Sequence, residues 1–345
     1  MTRAPLLMML FGCTDSTDTF LVYTLEGDHH VVAPVAIPTL EDPVRLIGQE
    51  GRGYAGGSFS FAADDNNPYA STAAYRPGPP VRLGLDVVDG VGVPTDEQGL
   101  VILSFYHQLA NARSELGDLG LDVEPVFPMG AIAYLPSLPG DSFSFENAAY
   151  SGGPAHAFIL FPDLGDAVPL AANRAIVRHE FGHALFAHLT GERTAGLFDR
   201  AFNEGFADAV ASLSLDMPHF LDDSLVMPSR YVDSDVAVDQ DVIDAIQLDP
   251  YQLGTVFASF LWDLRTDSGD PAEVLRLTAD AVQAWADAYP EYDGRGVEVE
   301  EARKTFALVD RIVEAYGTTE LRRNFACDRV RARFGAWQVS APCSL

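Results

Sequence analysis

The stretch Ile176-Val177-Arg178-His179-Glu180-Phe181-Gly182-His183-Ala184-Leu185 sets two histidines four positions apart within an apolar run. On an α-helix, positions i and i+4 share one face and lie about 6 Å apart in rise, so both imidazoles can reach one ion. Imidazole suits Zn2+, and the intervening Glu180 can act as general base on water activated by the metal. The apolar flanks Ile176, Val177, Phe181, Ala184 and Leu185 predict that this helix is buried. By chance the pattern is expected in about one chain in a hundred of this composition. His188, five positions beyond His183, falls on a different face and reads as a surface histidine.

A third ligand is needed. Phe186 and Leu189 stand where a metzincin carries Gly and His, which excludes that pattern. Further on comes Asn203-Glu204-Gly205-Phe206-Ala207-Asp208, read as the opening of an apolar helix with Phe206, Ala207, Val210, Ala211 and Leu213. Glu204 at a helix start can supply a carboxylate to the zinc, leaving the fourth position for water. Asp208, one turn on, is placed to accept the outward N–H of a ligating histidine. The bland alternative for this pair is a solvated acidic face.

Outward from this centre, helical spacing predicts helices at Asp96–Leu116, Ala171–Leu189, Glu204–Leu215, Tyr251–Arg265, Ala272–Ala288 and Val299–Tyr316. From Phe20 to about Val93, and again over Leu121–Phe161, short apolar runs cut by turn signals predict β-strands. The expected fold is α+β, an N-terminal β-rich lobe and a mainly helical C-terminal lobe with a zincin cleft between them. The expected segments are 1–13 as a signal peptide, 14–95 as a β-rich region, 96–215 as the catalytic core, and 216–345 as an acidic loop and helical lobe.

The chain has 345 residues, which suits two domains or one two-lobed one, and 48% hydrophobic residues, which is ample for a core. Acidic residues number 50 against 22 basic ones, and the only lysine is Lys304. A net charge of −28 leaves no phosphate-neutralising stripe, so nucleic acid is excluded as an expected partner. From Asp216 to Pro250 the only cation amid nine Asp is Arg230. Asp233, Asp235 and Asp239 do not form an EF-hand, since Ala237 fills a ligand position and the turn glycine is missing; a Ca2+ site of another kind is the alternative to a solvated loop.

At the N-terminus, Arg3, the apolar run Ala4–Phe11, Gly12 and Cys13 read as a compressed signal peptide. Leu10-Phe11-Gly12-Cys13 resembles a bacterial lipobox, whose cysteine is lipidated. That implies a lipid-anchored protein of the outer membrane or cell surface, touching membrane only through Cys13. A buried N-terminal strand or a misplaced start codon are the alternatives. Export implies an oxidising compartment, where Cys327 and Cys343 are expected to pair rather than remain as core thiols.

The two motifs in register, His179–His183 with Glu204 and Asp208, resemble the gluzincin metallopeptidases, the thermolysin-like and fungalysin-like enzymes. The resemblance spans roughly Leu100 to Leu264. It implies that His179, His183 and Glu204 bind zinc, that Glu180 activates water, and that Asp208 orients a ligand histidine. Asn147-Ala148-Ala149-Tyr150 resembles the edge strand on which such enzymes lay the substrate backbone, and an ordinary hairpin is the alternative. Tyr251, opening Tyr251–Ala258 and Leu261–Leu264, stands where the fungalysin helix has an oxyanion-stabilising histidine; its alternative role is a core aromatic beside Phe257 and Phe260. The expected protein is therefore an exported, monomeric zinc endopeptidase acting on protein or peptide substrates. The rivals are a non-catalytic zinc-binding surface lipoprotein and a zinc hydrolase of non-peptide substrates.

Overall fold

Strand β1 (Thr19–Glu26) pairs antiparallel with β2 (His29–Ala36), and buries alternate residues Phe20 and Val22 against the first helix. These coordinates are a computed structural model that describes residues 17–27, 29–64, 67–134, 147–152, 156–161, 168–191, 197–224, 226–246, 249–289, 299–335 and 343. Cys13 and the rest of the proposed signal segment lie outside them. The fold is mixed α/β, strand-rich at the N-terminus and helical at the C-terminus.

Short strands β3 (Leu40–Asp42), β4 (Ile47–Gly48) and β5 (Gly51–Ala55) follow, then a hairpin of β6 (Gly57–Asp64) and β7 (Asn67–Pro77). A second hairpin, β8 (Leu85–Val88) and β9 (Val91–Pro94), completes a four-stranded sheet in the order β2-β1-β9-β8. Helix α1 (Glu97–Asp118) starts where the Asp96 side chain accepts the Gly99 N–H at 2.7 Å. Buried Ser104 and Gln108 on α1 bond the Tyr23 backbone at 2.8 and 2.9 Å, so their polar atoms tie the helix to β1.

After α1 come β10 (Ala131–Tyr134), β11 (Asn147–Ser151) and β12 (Ala157–Phe161). They join the earlier strands in a six-stranded sheet, order β11-β12-β10-β5-β4-β3, with β10 parallel to both β5 and β12 and β11 antiparallel at the edge. The sheet thus takes strands from both sides of residue 95. Ile132, Tyr134, Phe158 and Leu160 face the main core, while Ala131, Ala133, Ala157 and Ile159 pack on the other face with Tyr75. Burial on both faces explains why β10 and β12 read as unbroken apolar runs.

The helical part comprises α2 (Arg174–Thr190), α3 (Leu197–Leu215), α4 (Gln240–Ala245), α5 (Pro250–Ser268), α6 (Pro271–Ala288), α7 (Val299–Tyr316) and α8 (Glu320–Phe334). Helix α3 begins well before Glu204, correcting the expectation that Glu204 opens it. The apolar stripe runs back through Ala201 and Phe202, whose ring stacks on Phe257 of α5 at 4.6 Å. Helix α8 was not expected; its buried Ala326, Cys327, Val330 and Phe334 keep helical spacing among arginines. Cys327 is disulfide-bonded to Cys343 with an S–S length of 2.07 Å.

Candidate metal centre

Asn173 caps α2, its side chain accepting the Ala175 N–H at 2.8 Å, and Gly191 ends it with a left-handed φ of 62°. The helix is fixed in rotation from behind. Arg174 donates to both oxygens of Glu115 on α1 at 2.8 Å, and fully buried Arg178 donates to the same carboxylate. Burial alone would push the Glu115 carboxyl up, but the two guanidinium groups outweigh it and hold its pKa down. From the other side α3 comes close because residue 182 is glycine: a Cβ there would sit 2.6 Å from Ala207 Cα. Tight packing of α2 on α3 then fixes where the motif side chains meet.

They meet at one point. His179 Nε2 and His183 Nε2 are 3.0 Å apart, and Glu204 Oε2 lies 3.4 Å and 3.5 Å from them. Donors about 2.0–2.1 Å from a tetrahedrally bound small ion lie roughly 3.3 Å from one another, so this triangle has the right size. The outer nitrogens fix the tautomers. His179 Nδ1 donates to Asp208 Oδ1 at 2.9 Å, and His183 Nδ1 to Asn203 Oδ1 at 3.0 Å. Both Nε2 atoms are left as lone pairs facing each other and a carboxylate. Glu204 Oε2 is buried with no hydrogen-bond partner among the described residues. Such an arrangement repels itself unless a cation or a proton sits in it. Burial lowers the pKa of His179, but Asp208 and Glu204 more than reverse this and raise it to about 9, so a proton is held there when no cation is. The three donors therefore fit a divalent ion, with His179, His183 and Glu204 as the residues that could hold it.

Glu180 also comes near, its carboxylate lying with the two imidazoles within 4.8 Å. It is buried, one of its oxygens lacks a partner among the described residues, and the Tyr150 backbone N–H donates to it. Burial, partly opposed by the two histidines, raises its pKa, which suits a base more than a ligand. Tyr150 belongs to β11, the edge strand expected at Asn147–Tyr150, which lies along α2. Ala148 is buried there; the Asn147 side chain lies outside what is described, although its backbone pairs with Phe161. Along the Glu180 face of α2, Ala184 and Ala187 form a groove floor opposite Tyr150 and His156. His188 is exposed.

Two residues at the centre had no role assigned from the sequence. Asn203 was quoted with its motif, yet its function in holding His183 needed the three-dimensional placement. Arg230 chelates Asp208, Nε reaching Oδ2 at 3.3 Å and Nη2 bonding Oδ1, and its Nη2 is 3.4 Å from His179 Nδ1. Its available signal was its isolation as the one cation in an acidic block. Tyr251, at the start of α5, stacks its ring 4.6 Å from the Arg230 guanidinium carbon. The Glu204 charge and then burial raise the Tyr251 pKa, so its hydroxyl keeps its proton as a donor. In the acidic block, Asp239 caps α4 through the Val242 N–H at 2.9 Å and Asp233 bonds His219 at 3.1 Å. Among the described residues, no three carboxylates of that block gather at ligand distance.

No protein-family profile matches the chain, and no curated protein matches it.

Proposed function

We propose that this chain is a gluzincin-like zinc endopeptidase. The observation that carries the reading is the triangle of His179 Nε2, His183 Nε2 and Glu204 Oε2, 3.0–3.5 Å on a side, with the Glu180 carboxylate beside it. The donor set of two imidazoles and one carboxylate is that of a catalytic zinc site, and zinc when bound supplies a Lewis acid that polarises a carbonyl and acidifies water.

The chain's own residues supply the rest. Glu180, with its raised pKa, takes the proton of the attacking water and returns it to the departing amine. Asp208 and Asn203 hold the two imidazoles by their Nδ1 atoms, and Arg230 balances the buried Asp208 charge. The Tyr251 hydroxyl donates to the oxyanion that develops on the scissile carbonyl. An extended peptide adds to the edge strand β11, whose Tyr150 N–H already points at Glu180; this is the support for peptide over other substrates. The lipobox-like Cys13 supports a lipid-anchored location, and no helix among the described residues is long and apolar enough to cross a membrane.

The test is hydrolysis of casein or a quenched peptide with and without a chelator. The expected result is activity that the chelator abolishes and added Zn2+ restores. Zinc binding without hydrolysis would favour the non-catalytic reading, and activity indifferent to chelation would remove the metal from the mechanism.

A further inference from the structure

His30 on β2 is almost fully buried, with a side-chain exposure of 3%, and stands where three parts of the chain meet. Its Nδ1 lies 2.7 Å from Asp223 Oδ2, in the loop 216–232 that follows α3. Its Nε2 accepts the backbone N–H of Arg174, the first residue of α2, at 3.2 Å. A backbone N–H can only donate, so Nε2 must be a lone pair and Nδ1 must carry the proton. Beside it, Asn173 Nδ2 donates to Ser224 Oγ at 2.7 Å, and Ser224 Oγ donates to Val168 O at 3.0 Å. One end of the loop is thus pinned to the start of α2 by His30 and Asn173. The other end carries Arg230 onto Asp208.

We propose that His30 is a pH-sensitive latch: neutral, it joins loop 216–232 to the N-terminus of α2, and protonated, it keeps its bond to Asp223 but loses the Arg174 N–H, which loosens the tie between the loop and α2. Protonation places a second N–H against the Arg174 N–H and sets a cation at a helix N-terminus, where the helix dipole disfavours it. The charged groups facing the ring are Asp223 from the loop and Arg174 from α2, whose guanidinium is turned to Glu115; β1 presents Leu25. Burial holds the His30 pKa below its ordinary 6.5, with Asp223 opposing and Arg174 adding to the effect. The stability this gives is complete above the unfolded-state pKa and is lost as pH falls below it. The latch stands whether or not the centre hydrolyses peptides.

The experiment is amide hydrogen exchange from pH 8 to pH 5, corrected for intrinsic rates, on peptides covering 168–178 and 216–231. It is run on the unaltered protein and on His30→Gln, which keeps a donor and an acceptor but cannot titrate. In the unaltered protein these peptides should open increasingly below pH 6.5, by at most about tenfold per pH unit for one proton. In His30→Gln that dependence should vanish. An identical pH dependence in both proteins would overturn the proposal. If the variant does not fold, histidine nitrogen NMR on the unaltered protein decides: a Nδ1–H tautomer at pH 7 with a pKa below 6.5 is expected. The opposite tautomer, or a pKa of 6.5 or above, would overturn it.

Discussion

Asp208 shows how much the proposed metal centre depends on residues that would not touch the ion. It has no solvent exposure, and its carboxylate is shared between His179 Nδ1 and the Arg230 guanidinium. A buried carboxylate with only a neutral imidazole beside it would be costly, so Arg230 lets Asp208 stay charged and hold His179 in place. That His179, Glu180 and His183 share one helix, and Glu204 and Asp208 another, could be read from sequence because helical spacing fixes positions within a helix. Arg230 could not, because it arrives on an irregular loop where no periodicity applies. Tyr251 sits against that same guanidinium, and its hydroxyl can be tested apart from its ring. Tyr251→Phe keeps the stacking and removes only the donor. Loss of an oxyanion donor typically costs about 10²–10³-fold in kcat, and that fall is expected here with KM and zinc content nearly unchanged. An unaltered kcat would assign Tyr251 to packing alone.

Between elements, glycines decide how closely the helices that carry the ligands approach. A Cβ on Gly205 would fall 2.3 Å from Gly254 O, so α3 and α5 touch backbone to backbone directly beside Glu204. Gly117 near the end of α1 is exposed, and a Cβ there meets nothing nearer than Val123 Cγ2 at 3.8 Å. The same substitution should therefore act with opposite signs. Gly205→Ala is expected to destabilise by about 1–3 kcal/mol through overpacking, and Gly117→Ala to stabilise by about 0.5–1 kcal/mol. Urea unfolding measures both, and equal effects would contradict this account of the α3–α5 contact. Helices were legible wherever apolar residues recur in a polar background, as in α1, α2, α5, α6 and α7. Helix α3 starts seven residues before the expected Glu204, although Phe198, Ala201, Phe202 and Phe206 already keep helical spacing. Helix α8 was missed because its few buried positions stand among arginines. Helix α4 lies in the acidic block, where its cap Asp239 could not be told from a solvated aspartate.

For the molecule as a whole, strand positions could be read from the chain but strand partners could not. β5 and β10 pair in parallel although the hairpins and α1 lie between them, and local pattern carries no record of so distant a contact. Their pairing builds the sheet whose edge strand lies along α2, so the groove over Ala184 and Ala187 is a product of topology. The acidic composition was legible only as charge, yet Asp96, Asp239, Asp249 and Asp270 each cap a helix. What joins these scales is one claim: His179, His183 and Glu204 hold a zinc ion, and Glu180 beside it is free to move a proton. Measuring zinc per chain and peptide hydrolysis on the same preparations of the unaltered protein and of Glu180→Gln tests it. Glutamine is nearly isosteric with glutamate and still hydrogen-bonds water, but it cannot accept the proton. The account predicts about one zinc per chain in both proteins and hydrolysis lowered about 10²–10⁴-fold in the variant. Full activity in Glu180→Gln, or loss of its zinc, would contradict it.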